Sequence, residues 1–295
     1  MIEVNNLTKV YSSGKGVFDL SFEIKEGEVF GYLGPNGAGK TTTIRNLLGF
    51  IKPDKGDCLI NGLGCWQKAA AIQKRLGYLP GEIAFFDNMT GKQFLQFMRE
   101  MRGKTDTGRQ DELIDQFDLE TDRKIRKMSK GMKQKLGIVA AFMHDPAIYI
   151  LDEPTSGLDP LMQNRFIELI LSEKQRGKTI LMSSHSFDEI DRTCDRAGII
   201  REGRLVAVED IHSLKAVQRK AFIITLATDQ DIATIKNSGL EIKNITNKRV
   251  ELIVSSDINA LIAVLSRCRL TGLDIGAQNL EQIFMKYYGQ EGEKL

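Results

Sequence analysis

Apolar and polar residues alternate in IEVNNL near the start of the chain and again in SFEIKEG, the period of a half-buried β-strand. GEVFGYL (27–33) is more continuously apolar and runs into GPNGAGKTT and then TIRNLLGF. That order predicts a buried strand, a glycine-rich loop and a helix. LGYLP (76–80) predicts a further strand. From about 90 to 134 the pattern turns helical, with Phe94, Leu95, Phe97, Met98 and Met101 on one apolar face. AIYILDEP (147–154) and TILMSSH (179–185) read as buried parallel strands, separated by a helix around 160–175. The alternation of strands and helices predicts an α/β fold with a mainly parallel sheet.

Past residue 215 the pattern changes. KAFIITLA, EIKNIT, RVELIVS and LTGLDIG read as strands, and DQDIATIKNS as a short helix. DINALIAVLSRC carries Ile258, Leu261, Ile262 and Leu265 at helical spacing, and NLEQIFMKYY predicts a last helix. The order β-α-β-β-α-β predicts a small α+β domain of ferredoxin-like type over 216–295, behind a larger domain over 1–215.

Bulk composition narrows the function classes. Lys+Arg 41 against Asp+Glu 39 gives a net charge of only +2, so a dedicated nucleic-acid binder is disfavoured. This holds although RKIRKMSKGMKQK (123–135) gathers seven basic residues. Cys58, Cys65, Cys194 and Cys268 form no CxxC pair and read as free thiols. No apolar run approaches the ~18–20 residues of a membrane span. Met1 leads directly into a strand pattern without a signal peptide, so a soluble, cytoplasmic chain is expected.

The candidate chemistry begins at Gly34-Pro35-Asn36-Gly37-Ala38-Gly39-Lys40-Thr41, followed by Thr42, a complete phosphate-loop pattern in strand–loop–helix context. Its glycines let backbone N–H groups turn inward around a phosphate. Lys40 supplies a point charge, the Thr41 hydroxyl can ligate Mg²⁺, and the helix adds its positive end. In ILDE (150–153) an apolar strand delivers two adjacent carboxylates. Strand alternation gives them opposite directions and different tasks: Asp152 for the Mg²⁺ shell, Glu153 to hold and deprotonate a water. His185, ending the next apolar strand, is placed to reach the γ-phosphate. Ser129 at an N-cap, Gly131 and the start of a helix form a further anion site within the basic run.

Together these features resemble the nucleotide-binding subunit of ABC transporters, over roughly residues 1–215. Ser129-Lys130-Gly131-Met132 stand at the signature motif, Ser156-Gly157-Leu158-Asp159 at the D-loop, and Tyr11 where an aromatic stacks on adenine. The resemblance implies an ABC-type P-loop fold, with an N-terminal antiparallel β region and a helical subdomain at about 84–134. It also implies a head-to-tail homodimer binding ATP and Mg²⁺ on the cytoplasmic face of the membrane, with Ser129 and Gly131 completing the partner's site. A separate integral membrane permease would be the second partner, and a terminal domain together with GYLPGE looks most like drug or antibiotic exporters. The sequence departs from the family at Gly81-Glu82, where a glutamine is usual, and at Lys130, where a glycine is usual. Phe85 and Phe86 read equally as core or as a docking groove for a permease helix. An importer ATPase is the nearest rival reading. A translation-factor type would carry two ATPase units, a chromosome-organising type a long coiled coil, and a GTPase a base reader that Asn247-Lys248-Arg249-Val250 fails to supply.

Overall fold

β1 (Ile2–Val10) pairs antiparallel with β2 (Gly16–Ile24), setting Ile2 opposite Ile24 and Val4 opposite Phe22. The computed structural model describes residues 1–103, 105–211, 213, 220–254 and 258–276, and the chain divides into two compact units, Met1–Ile211 and His212–Leu295. In the first unit β4 (Lys55–Ile60) and β5 (Leu63–Gly64) extend the antiparallel sheet in the order β2-β1-β4-β5. Its alternating residues Ile2, Val4, Leu20 and Ile24 are buried, which explains the period of two in the sequence.

A second sheet supplies the frame of the site. β3 (Val29–Leu33), β6 (Leu76–Leu79), β7 (Ile148–Asp152), β8 (Thr179–Ser184), β9 (Arg196–Arg201) and β10 (Arg204–Asp210) lie in the order β10-β9-β3-β8-β7-β6. All neighbours are parallel except the β9–β10 edge pair. β3, β7 and β8 are buried at every position, as expected of inner strands covered on both faces. Their register sets Leu33 beside Ser184 and Asp152 beside Ser183, so three adjacent strands end together. The loops that leave these carboxyl ends therefore converge on one place.

Helices α1 (Lys40–Leu47) and α2 (Ala69–Gln73) precede a helical region made of α3 (Gly91–Met101), α4 (Gly108–Gln116) and a 3₁₀ turn at Ile125–Lys127. A capping box starts α3: Thr90 Oγ1 accepts from Gln93 N at 3.2 Å, and Gln93 Oε1 accepts from Thr90 N at 2.9 Å. Such a cap contributes about 1 kcal/mol. The α3 face is narrower than its sequence suggests. Phe94 and Leu95 are buried and Phe97 and Met98 half-buried, but Met101 is 72% exposed because the stripe outlasts the surface covering it. α5 (Lys130–Phe142), α6 (Pro160–Gln175) and α7 (Phe187–Thr193) complete the unit. Ser129 caps α5 by accepting from Met132 N at 3.2 Å, and Asp159 caps α6 by accepting from Met162 N at 2.9 Å.

The second unit has strands β11 (Lys220–Leu226), β12 (Glu241–Thr246), β13 (Arg249–Val254) and β14 (Leu270–Gly276) in the order β12-β13-β11-β14. Every neighbouring pair is antiparallel. With helices Asp229–Lys236 and Ile258–Leu265 between them, this is the ferredoxin-like arrangement. Phe222, Ile224, Val250, Leu252, Leu261 and Leu265 are among its core residues. Ile258 and Ile262, expected on the same buried face, are 42% and 57% exposed, because two side chains per two turns suffice to cover so small a sheet. The helix expected at NLEQIFMKYY lies outside the described residues.

Candidate nucleotide site

The glycine-rich loop needs its glycines for local reasons. Gly37 and Gly39 hold φ of 81° and 112°, in the left-handed region, and a Cβ on Gly39 would lie 2.7 Å from Val17 Cγ1. A Cβ on Gly34 would meet the Ile200 carbonyl oxygen at 2.4 Å. Lys40 opens α1 yet is only 5% exposed, because its side chain folds back over the loop. Its Nζ donates to the Gly34 carbonyl at 2.6 Å and faces Glu153 Oε1 at 3.0 Å.

β7 delivers the acids. Asp152 Oδ2 accepts from Thr41 Oγ1 at 2.9 Å, and Oδ1 accepts from Ser183 Oγ at 2.5 Å. Glu153 stands just past the strand with φ of 50°, a left-handed conformation unusual for glutamate. Its N–H donates to Ser183 Oγ at 3.0 Å, which holds that turn. Strand alternation predicts opposite directions for the two acids. The structure corrects this: the left-handed turn swings Glu153 round, and both carboxylates line the same cleft. His185, at the end of β8, brings Nδ1 to 2.5 Å from Glu153 Oε2.

The cleft encloses about 570 Å³. Pro35, Asn36, Gly37, Gly39, Lys40, Thr41, Thr42, Asp152, Glu153 and His185 line it, and Tyr11, 38% exposed, stands at its border beside Lys15 and Gly16. Gly34 and Ala38 lie beneath the loop, while Ser129 and Gly131 do not line this cleft. Gly81 and Glu82 also line it, and a Cβ on Gly81 would stand 3.5 Å from Asp152 Oδ2. Tyr78 is pushed up to about 12, by burial first and then by the negative charge of Asp152, with Arg45 acting in the opposite sense. The Thr41 hydroxyl and the Asp152 carboxylate are hard oxygen donors side by side at the foot of a phosphate loop. They fit Mg²⁺, which takes one or two protein oxygens and leaves its other positions to phosphates and water. Sequence reasoning missed Ser183 and Arg45. The one available signal was the polar pair Ser183-Ser184 closing an otherwise apolar strand.

Residues 17–156 match the family described as ABC transporter. The chain is 40% identical to the bacitracin transport ATP-binding protein BcrA of Bacillus licheniformis, over 80% of this chain and 78% of that protein. It is 32% identical to the linearmycin resistance ATP-binding protein LnrL of Bacillus subtilis, over 98% of this chain and 99% of that protein. The chain belongs to the ABC transporter family. It is an ATP-binding subunit of such a transporter, an ATPase whose hydrolysis drives transport. Among solved structures, an ATP-binding subunit of an ABC transporter superimposes with a TM-score of 0.67 at 30% identity, covering 73% of this chain and 92% of that one.

Within this ABC subunit three of the seven basic residues of the run, Arg123, Lys130 and Lys133, face partners in the same chain. Arg123 pairs with Glu120 at 2.9 Å, and Lys133 stands 3.9 Å from Asp87. Lys130 donates from Nζ to Ser156 Oγ at 3.1 Å, inside its own chain. Its aliphatic stem lies against Gly157, where a Cβ would come within 3.0 Å of Lys130 Cδ and φ is 81°. Glycine at 157 thus makes room for the lysine that replaces a glycine at 130.

Proposed function

We propose that this subunit hydrolyses Mg²⁺·ATP at the described cleft, as one half of a homodimer. In this reading it powers export of an antibiotic- or drug-like molecule through a separate integral membrane permease. The observation that carries the reading is the convergence of Lys40, Asp152, Glu153 and His185 from three adjacent strand ends around a phosphate loop. The direction and cargo class rest on the two relatives named for bacitracin transport and linearmycin resistance. The subunit would work as a peripheral protein on the cytoplasmic face of the membrane. Among the described residues no helix is long and apolar enough to cross a membrane. The half-buried Phe85 and the 53%-exposed Phe86 stack edge-on against Phe94 and Phe97 of α3, and supply apolar surface for a permease helix.

The residues divide the reaction. Backbone N–H groups of the loop, other than that of Ala38, which donates to the Pro35 carbonyl at 3.1 Å, cradle the phosphates, and Tyr11 offers its ring to the adenine. Lys40 now neutralises Glu153; a bound polyphosphate would draw the ammonium to itself and free Glu153 to hold a water. As the water oxygen bonds to the γ-phosphorus, its proton passes to Glu153 and the β–γ bridging oxygen leaves with ADP. His185 orients Glu153 and contacts the γ-phosphate. Thr41 and Asp152 would hold Mg²⁺, which would supply neutralisation of the phosphate charge. Ser129, Gly131 and the N-terminus of α5 would serve the site of the second copy.

Affinity purification from membranes, with identification of the co-purifying integral protein and a drug-efflux assay, tests this reading. Loss of efflux in cells carrying the Glu153→Gln chain is expected. Unchanged efflux, or absence of any integral partner, would overturn it.

A further inference from the structure

Glu189, in the first turn of α7, is 5% exposed. Its charge is met by hydroxyl groups and, at longer range, by His185. Burial pushes its carboxyl up, while the hydroxyls of Ser184 and Thr155 act in the opposite sense. A buried carboxyl held this way is costly, and an apolar residue would serve the helix better.

The partners of Glu189 explain why it is there. Ser184 Oγ donates to Glu189 Oε2 at 2.5 Å and accepts from Ser186 N at 2.9 Å. Ser184 and Ser186 flank His185, so this bond closes the turn that carries the histidine. Thr155 lies two residues after Glu153, and Glu189 Oε1 completes no hydrogen bond. A cavity of about 450 Å³ opens behind His185, lined by Thr155, Ser184, Ser186 and Glu189 among others. Apolar packing cannot brace the turn from the side of an open polar cavity. The carboxyl is the group that reaches from α7 to the turn carrying His185.

We propose that Glu189 is a positioning residue for ATP hydrolysis, bracing the Ser184–Ser186 turn so that His185 stays aligned with Glu153. The inference rests on the roles given above to Glu153 and His185. Glu189 does not line the nucleotide cleft and acts through the turn it holds.

Steady-state hydrolysis by the full chain, with ATP binding and Tm measured on the same samples, tests it. Glu189→Ala should lower kcat roughly tenfold with KM and ATP affinity within about threefold. Glu189→Gln, whose amide oxygen can still accept from Ser184, should restore at least about a third of the activity. In a His185→Ala background, Glu189→Ala should cost less than about twofold more, because residues acting as a unit are non-additive. Should Glu189→Ala fail to fold, Ser184→Ala removes the same bond and should show the same fall in kcat. An unchanged kcat in the folded variants, a fall matched by lost ATP affinity, or full additivity with His185→Ala would overturn the proposal. If His185→Ala and Glu153→Gln themselves hydrolyse ATP normally, the site reading fails; if they are inactive while the Glu189 and Ser184 variants are not, only this inference fails.

Discussion

His185 Nδ1 lies 2.5 Å from Glu153 Oε2, although the whole of α6 and β8 separates them in sequence. The contact exists because β7 and β8 are adjacent and in register, and because Glu153 leaves its strand in a left-handed turn. His185→Ala removes the orienting partner while leaving Lys40 and the phosphate loop intact. We expect kcat to fall by about 10²-fold with ATP affinity changed by less than about threefold, as measured by phosphate release and equilibrium binding.

Thr41 and Asp152 share a hydrogen bond of 2.9 Å, and Ser183 steadies the far oxygen of the acid. Thr41→Ala deletes one proposed metal donor without disturbing the phosphate loop backbone. The Mg²⁺ concentration for half-maximal nucleotide binding should rise by about 10- to 100-fold. Titration of Mg²⁺ at fixed nucleotide, read by fluorescence of a bound analogue, checks this. An unchanged midpoint would remove Thr41 from the metal site.

Ser129 accepts from Met132 N at the start of α5. Ser129→Asp keeps a good N-cap, so stability should change by less than about 1 kcal/mol. It also places a negative charge where a second copy's polyphosphate is proposed to dock. ATP-dependent dimerisation should then be lost while binding to the monomer persists, as size-exclusion chromatography and binding titration would report. Lost monomer binding would contradict the assignment of Ser129 to the partner's site.

Asp145 receives an ion pair from Arg176 at 2.8 Å and another from Lys178 at 2.9 Å. Burial works to raise its carboxyl, but Lys178 and Arg176 outweigh it and hold the group below the usual carboxylate range. A carboxyl lowered on folding stabilises the native state above its unfolded value near 3.9 and loses that contribution as pH falls through the lowered value. Asp145→Asn should therefore lower Tm at pH 7 and approach the parent protein's Tm in strong acid. Thermal melts across pH check the sign; a constant difference at all pH values would contradict it.

The phosphate loop, α1 and the strands β3, β7 and β8 were legible because their signals are local: glycines where the backbone turns, apolar runs where strands are covered twice. The ferredoxin-like order was legible for the same reason, from four alternating runs and two short helical ones. β4, β9 and β10 were not, since GDCLI and AGIIREGRLVAVED mix polar and apolar positions without a sustained period. The direction of Glu153 was hidden as well, because a period of two cannot announce a left-handed residue after the strand. Nor could the sequence connect Asp152 to Ser183, a bond that depends on strand register, or Ser184 to Glu189, a bond that depends on how the turn from β8 into α7 folds. The basic run changed most: Lys130, standing where the family usually has a glycine, bonds Ser156 within its own chain and lines the nucleotide cleft.

The central claim is that Glu153 takes the proton from the attacking water. The most direct test is single-turnover hydrolysis by Glu153→Gln, with ATP binding measured on the same sample. Binding close to that of the parent protein, with hydrolysis slowed by at least about 10²-fold, is the predicted result. Hydrolysis within twofold of the parent rate would contradict the account.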